Sequence, residues 1–349
     1  MKAGVGIDPR LGLSRQQQAE LVRHAARLKF ESLWTPAGVT ARSIFQTCRD
    51  WWAATTDVVA DGLSIGTSVI PFPGWSLPTL AAESASLNDV CGGKFNLGIG
   101  LGAYPSPAYV KQLGLPRVPP LTFTREYLSG LRSLLRNETV DLEGAAVNLH
   151  GVQLGFKAPL VPVYLAAMGP KMLRLAGQCA DGVTPNWCSA EQVAWMRPHV
   201  AEGARKAGRD PSDVPFSLYI RVCIDDDEDA ARRAFAAGML GYALARPGQP
   251  KDTGYRAHFG RMGFEELLLD LEARRDAGTK VADLVDRVPP ELLLKVGYFG
   301  KPGGAAQALR TLSAGLDEAM VRLITVHSGD LDACLGAVDA CEPSGWAGA

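Results

Sequence analysis

Apolar and polar positions along this chain follow two rhythms. Short apolar runs recur, and the longer stretches between them carry apolar residues at three- and four-residue spacing. The runs predict strands over residues 2–7, 30–35, 63–70, 95–101, 161–166, 182–184, 216–224 and 320–326. Helices are predicted over residues 14–29, 44–56, 78–91, 124–136, 190–207 and 304–314. In the first, Ser14 serves as N-cap and Leu21, Ala25 and Leu28 share one face. Gly92, Gly93 and Gly208 supply left-handed stops. Residues 140–156 alternate in two short runs and predict a hairpin laid outside the main sheet. A helical insertion follows over about residues 227–295, with Gly238, Gly241, Pro247, Gly248 and Gly254 expected to break its helices.

Eight strands separated by helices imply a parallel sheet buried by crossover helices, and near-continuous apolar strands agree with burial on both faces. The predicted fold class is α/β: a (β/α)8 TIM barrel with insertions, as one domain over residues 1–349, with an open doubly wound sheet as its rival. At 349 residues and 47% hydrophobic content the chain can fill such a core. Its net charge of -1 and the lack of any basic stripe argue against nucleic acid and anionic membrane as partners. The first residues carry no signal-peptide pattern and no run nears the ~20 apolar residues of a bilayer span, so a cytoplasmic setting is expected. Seven cysteines without a C-x-x-C pair suggest reduced, buried thiols rather than a disulfide framework or zinc ribbon, and no metal is expected.

In a barrel, chemistry gathers at strand C-termini. After the fifth strand the loop Ala167, Met168, Gly169, Pro170, Lys171 runs into a helix, so backbone N–H groups and the helix dipole would face the mouth as an anion site. The plainer reading is that Gly-Pro only starts a helix and Lys171 is a solvated lysine. Residues 296–305 form a second glycine-rich loop that can serve the same phosphate, and residues 66–75 leave the third strand irregularly through Ser68 and Val69.

These stretches resemble the luciferase-like flavin-dependent superfamily, and within it the coenzyme F420-dependent reductases of the methylenetetrahydromethanopterin reductase type. The resemblance rests on residues 166–183 (AAMGPKMLRLAGQCADGV), on 87–102 (LNDVCGGKFNLGIGLG), on IGTSVIPFP at the third strand and on YFGKPGGAAQAL near residue 300. It implies a cis peptide between Ser68 and Val69 behind the deazaflavin ring. It also implies cofactor phosphate on Ala167, Met168, Gly169, Pro170 and Lys171 with help from Gly300, and Asn186 near the cofactor tail or phosphate. The implied reaction is hydride transfer between coenzyme F420 and an unsaturated small-molecule or natural-product substrate. An FMN-dependent monooxygenase and a non-catalytic relative are the alternatives.

The acid that many relatives carry after the second strand is missing, since the chain there reads Trp34-Thr35-Pro36-Ala37-Gly38. Candidate polar groups that remain are Asp8, Tyr104, Tyr298 and His327. Of these, His327 directly follows a barrel strand and can donate a proton, unless it packs under the C-terminal helix. His258 lies in the insertion and can reach over the pocket; His24, His150 and His199 are expected to be structural. A homodimer is expected, with Trp51 and Trp52 either on its surface or in the core.

Overall fold

In the computed structural model, residues 1–347 are described apart from Pro105 and Gly248. Gly248, expected to break a helix, therefore lies outside the described residues. The strands are β1 (Lys2–Gly6), β2 (Ser32–Thr35), β3 (Ser64–Thr67), β4 (Ile70–Pro71), β5 (Phe95–Gly100), β6 (Val140–Glu143), β7 (Asn148–Val152), β8 (Val163–Leu165), β9 (Gly182–Val183), β10 (Ser217–Ile224), β11 (Gly297–Gly300) and β12 (Glu318–Ile324). The helices are α1 (Arg15–Arg27), α2 (Ile44–Thr55), α3 (Leu77–Val90), α4 (Pro107–Leu113), α5 (Pro120–Leu135), α6 (Pro170–Cys179), α7 (Ala190–Lys206), α8 (Glu228–Ala243), α9 (Gly254–Phe259), α10 (Glu265–Asp276), α11 (Pro290–Val296), α12 (Ala305–Leu312) and α13 (Leu331–Ala340).

The main sheet is a curled, parallel one in the order β11-β10-β12-β1-β2-β3-β5-β8-β9, with β4 beside β5. Isolated parallel bridges also join Val183 to Phe216 and Asn186 to Tyr219, linking the β9 and β10 ends. Every residue of β10 is buried, as expected of a strand covered on both faces. The β6–β7 pair is the predicted antiparallel hairpin, outside this sheet. Residues expected to be a glycine-rich loop instead contain β11, which pairs Gly297 to Gly300 against Arg221 to Ile224.

Local chemistry explains the boundaries. Ser14 Oγ accepts from Gln17 N–H while the Gln17 side chain accepts from Ser14 N–H, a reciprocal cap that starts α1. The buried Leu21, Val22 and Ala25 turn its apolar face to the core. Trp51 is buried, and its indole N–H donates to Gln18 at 3.0 Å, so it is a core residue and not a docking surface; Trp52 is half-buried. The cysteines are all unpaired, and all but the half-buried Cys179 are buried.

The insertion has its own apolar core, from Phe235 and Met239 through Leu268 and Leu271 to Leu292. Gly238 and Gly241 lie within α8 rather than breaking it. A buried ionic knot ties its helices together: Glu272, fully buried, accepts from Arg256 Nε and from Ala245 N–H, each at 2.8 Å. Arg256 in turn donates twice to Glu265, at 2.6 and 2.7 Å. His258 docks the insertion on the sheet, with Nε2 2.9 Å from the Trp187 carbonyl oxygen. Among the described residues, no helix is long and apolar enough to cross a membrane.

Candidate active site

Two features lie at the C-terminal ends of the parallel strands. The first is made of backbone. Gly98 on β5 lets the end of β3 approach closely, because a Cβ there would lie 1.9 Å from the Thr67 carbonyl oxygen. Just beyond, the Ser68–Val69 peptide is cis, and Ser68 Oγ sits 3.0 Å from Thr184 Oγ1.

Across β5, the chain leaves β8 through buried Ala167 and half-buried Met168 to Gly169, the N-cap of α6. No side chain caps this helix, Pro170 occupies its first turn, and a Cβ on Gly169 would meet no heavy atom within 4 Å. The first amides of any helix lack intrahelical partners. Here they open on unfilled space beside Gly169, with the positive end of the helix dipole behind them. Arg261 of the insertion reaches the same loop, donating to the Met168 carbonyl at 3.4 Å. Lys171 is exposed beside it.

The second feature is made of side chains. A cavity of about 260 Å³ lies at the ends of β1, β10 and β12 under α8. Asp8, Arg10, Arg221, Arg322, Trp187 and Tyr242 line it. Arg221 and Arg322 are direct register partners on neighbouring strands, and both are nearly buried, at 3% and 4% exposure. Arg322 is neutralised by an ion pair with Asp8. Its guanidinium also lies over the Tyr219 ring, which fits against β1 because position 6 is glycine: a Cβ there would be 2.5 Å from that ring.

Arg221 stacks 3.8 Å from the centre of the Trp187 ring and donates through Nη1 to Asn186 Oδ1 at 2.7 Å. The Asn186 amide donates onward to Tyr255 Oη at 2.7 Å. Burial, helped by neighbouring Arg322, brings the Arg221 guanidinium down to about 9, still charged at neutral pH. Burial alone would raise the Tyr242 phenol, but Arg221, Arg322 and Arg10 outweigh it and hold it below its ordinary range. Arg10 also donates to the Tyr242 hydroxyl at 3.0 Å.

Residues 3–318 match the family model of luciferase-like monooxygenases. The chain belongs to that family. It is 30% identical over 265 residues to 5,10-methylenetetrahydromethanopterin reductase of Methanolobus tindarius, 75% of each chain. It is also 30% identical over 190 residues to the F420-dependent glucose-6-phosphate dehydrogenase of Rhodococcus erythropolis, 52% of this chain and 55% of that protein. The coenzyme F420 dependent tetrahydromethanopterin reductase from Methanopyrus kandleri shares the fold, with a TM-score of 0.76 at 21% identity over 98% of each chain.

Within this luciferase-like framework the residues singled out from sequence fare unequally. Ser68, Val69 and the loop from Ala167 to Lys171 lie at the rim in the expected conformation. Gly300 ends β11: its carbonyl accepts from Asp225 N–H at 3.1 Å, and a Cβ there would point toward Tyr298 and Glu228. The Asn186 side chain bridges Arg221 and Tyr255.

The three hydroxyl and imidazole candidates do not line the cavity. Tyr104 is buried, its one O–H is shared between the carbonyls of Pro116 and Val118 and its oxygen accepts from Val118 N–H at 3.0 Å, so its hydroxyl staples a loop. Tyr298 donates to the Lys301 carbonyl at 2.7 Å. His327 is exposed, and both flanking residues, Val326 and Ser328, line the cavity while it does not. His258 is fully buried against Trp187 and Cys188.

Sequence reasoning passed over Arg221, Arg322, Arg10, Trp187 and Tyr242. A signal was present: one arginine stands alone in each of two apolar strands, FSLYIRVCI and MVRLITV. An isolated charge in a buried strand requires a partner or a purpose.

Proposed function

We propose that this protein is a coenzyme F420-dependent oxidoreductase that transfers a hydride between the deazaflavin and an unsaturated small molecule. The observation that carries this reading is the uncapped, open N-terminus of α6 at Gly169, facing the rim beside the Ser68–Val69 segment. Relatives from two enzyme types bear F420-dependent names, which supports F420 over FMN as the occupant. The cradle fits the group: backbone amides of α6 would hold the phosphate, with Arg261 and Lys171 adding positive charge, and Ser68 and Val69 would support the ring. When bound, the deazaflavin supplies or accepts the hydride.

The chain's own part is to hold the reactants in line, keep water out and move a proton. Tyr242 is the ionisable hydroxyl that lines the cavity, and three arginines favour its anionic form, so we assign proton transfer to it. The insertion, residues 227–295, acts as the roof of one decorated barrel domain. The bridges from Val183 to Phe216 and from Asn186 to Tyr219 support closure of the sheet into a complete (β/α)8 barrel.

Titration of the purified protein with F420, followed by quenching of deazaflavin fluorescence, tests the reading. Saturable quenching is expected, with no retention of FMN on purification. Retention of FMN with no response to F420 would overturn it.

A further inference from the structure

The cavity under α8 holds more positive charge than its own residues neutralise. Three arginines (Arg10, Arg221, Arg322) and one carboxylate (Asp8) line it, a formal balance of three minus one. Asp8 is already engaged by Arg322 and by the backbone N–H of Arg10. Arg221 Nη1 is fixed on Asn186, while its Nη2 is buried without a hydrogen-bond partner among the described residues. The indole Nε1 of Trp187, on whose ring Arg221 stacks, is a second buried donor without a partner among the described residues.

Leaving a buried cationic donor unmet is costly, and guanidinium pairs best with a planar or tetrahedral oxyanion. Burial has accordingly lowered the Arg221 guanidinium to about 9, and an anion beside it would raise it again. The cavity, at about 260 Å³, is several times the ~30 Å³ share of one water, room for an anionic group and a short carbon skeleton. Gly238 and Tyr242 of α8 close it from above.

We propose that this cavity binds a carboxylate or phosphate group of the substrate, with Arg221 as its main ligand and Arg10 and Arg322 as flanking charges. The substrate of the reaction is then an organic acid or a phosphate ester. Assigning the anion to the substrate rests on the F420 reading above. The other source is the cofactor itself, whose phosphate has its own cradle at Gly169 on a different part of the rim.

The test titrates full-length protein with inorganic phosphate and, separately, with succinate, following tryptophan fluorescence, with Trp187→Phe as the reporter control. F420 affinity is measured independently by deazaflavin fluorescence. We expect at least one anion to bind saturably, with affinity falling roughly ten- to hundredfold in Arg221→Met and about two- to fivefold in the exposed Arg10→Met. F420 affinity should change less than about twofold in either.

Three results overturn the proposal: no saturable binding up to tens of millimolar, unchanged anion affinity in Arg221→Met, or a parallel loss of F420 affinity, which assigns the anion to the cofactor. If Arg221→Met fails to fold, Arg10→Met must weaken and Asp8→Asn must tighten anion binding; the opposite sign in either overturns it. Anion binding without any F420 binding keeps the cavity assignment and removes the cofactor reading instead.

Discussion

The loop that opens α6 and the cavity beneath α8 share one rim, but they hold charge by different means. At Gly169 the positive end comes from peptide dipoles and uncapped amides, which no side-chain rotamer can withdraw. Under α8 it comes from guanidinium groups on β10, β12 and the Asp8–Arg10 turn, each held by a stack, an amide or an ion pair. The first site rests on one strand–helix junction, to which Arg261 of the insertion adds a single charge, whereas the second needs three strands in register and a folded insertion. Mutations should therefore damage the second far more widely than the first.

The largest effect is expected at the ionic knot of the insertion. Glu272→Ala would leave two buried donors, Arg256 Nε–H and Ala245 N–H, without an acceptor, at a cost of about 3–5 kcal/mol in all. Thermal denaturation should show the loss. Anion binding under α8 should fall with it, while F420 binding at Gly169 should fall less, losing only what Arg261 contributes. Equal loss at both sites would erase the contrast between them.

Asp8→Asn should cost about 2–3 kcal/mol at neutral pH by stranding Arg322, while the cap on Arg10 N–H is kept. The Asp8 carboxyl is held low because Arg322 and Arg10 outweigh the upward push of burial. The stability it contributes is thus present above its unfolded value near 3.8 and is lost as pH falls below it. Denaturant melts of both proteins should converge in acid; a constant gap would show that Asp8 acts by shape alone.

His258 provides the pH handle at milder acidity. Burial brings its imidazole from 6.5 to about 4, so between those values the unfolded chain takes up a proton that the fold refuses. Stability then falls as pH drops, by roughly 3 kcal/mol across the window and about 2 kcal/mol of it by pH 5. His258→Gln should flatten that slope in melting temperatures taken at about pH 7 and pH 5. A slope that persists would place the sensitive group elsewhere.

The smallest structural effect is expected at Gly169→Asp. The backbone there (φ -97) suits any residue, the added Cβ meets open space, and aspartate caps a helix slightly better than glycine, by a few tenths of a kcal/mol. Its carboxylate would nonetheless repel a phosphate, so F420 affinity should drop at least about tenfold with no loss of melting temperature. Unchanged F420 affinity would move the phosphate off α6.

Much of the framework was readable before any coordinates. Ser14 and the Gly-Pro pair of Gly169 and Pro170 act through the backbone of their own few residues, so their effect is written locally. The irregular exit at Ser68–Val69 was legible for the same reason, although only through resemblance. Tyr104, Tyr298 and His327 looked available because sequence places them near strand ends but says nothing about partners. Tertiary contacts gave two of their polar groups to backbone carbonyls and turned the third outward.

What sequence determined, then, is the alternation of strands and helices and the uncapped helix start at Gly169. Period and capping chemistry are local, and free amides at a helix start follow from the helix itself. What only the tertiary structure decided is the arginine cavity. Arg221 and Arg322 lie about a hundred residues apart along the chain and meet through parallel register, while Tyr242 reaches them only once the insertion packs. Long-range register and the docking of one core on another are set by the summed burial of many side chains, which no short stretch of sequence displays.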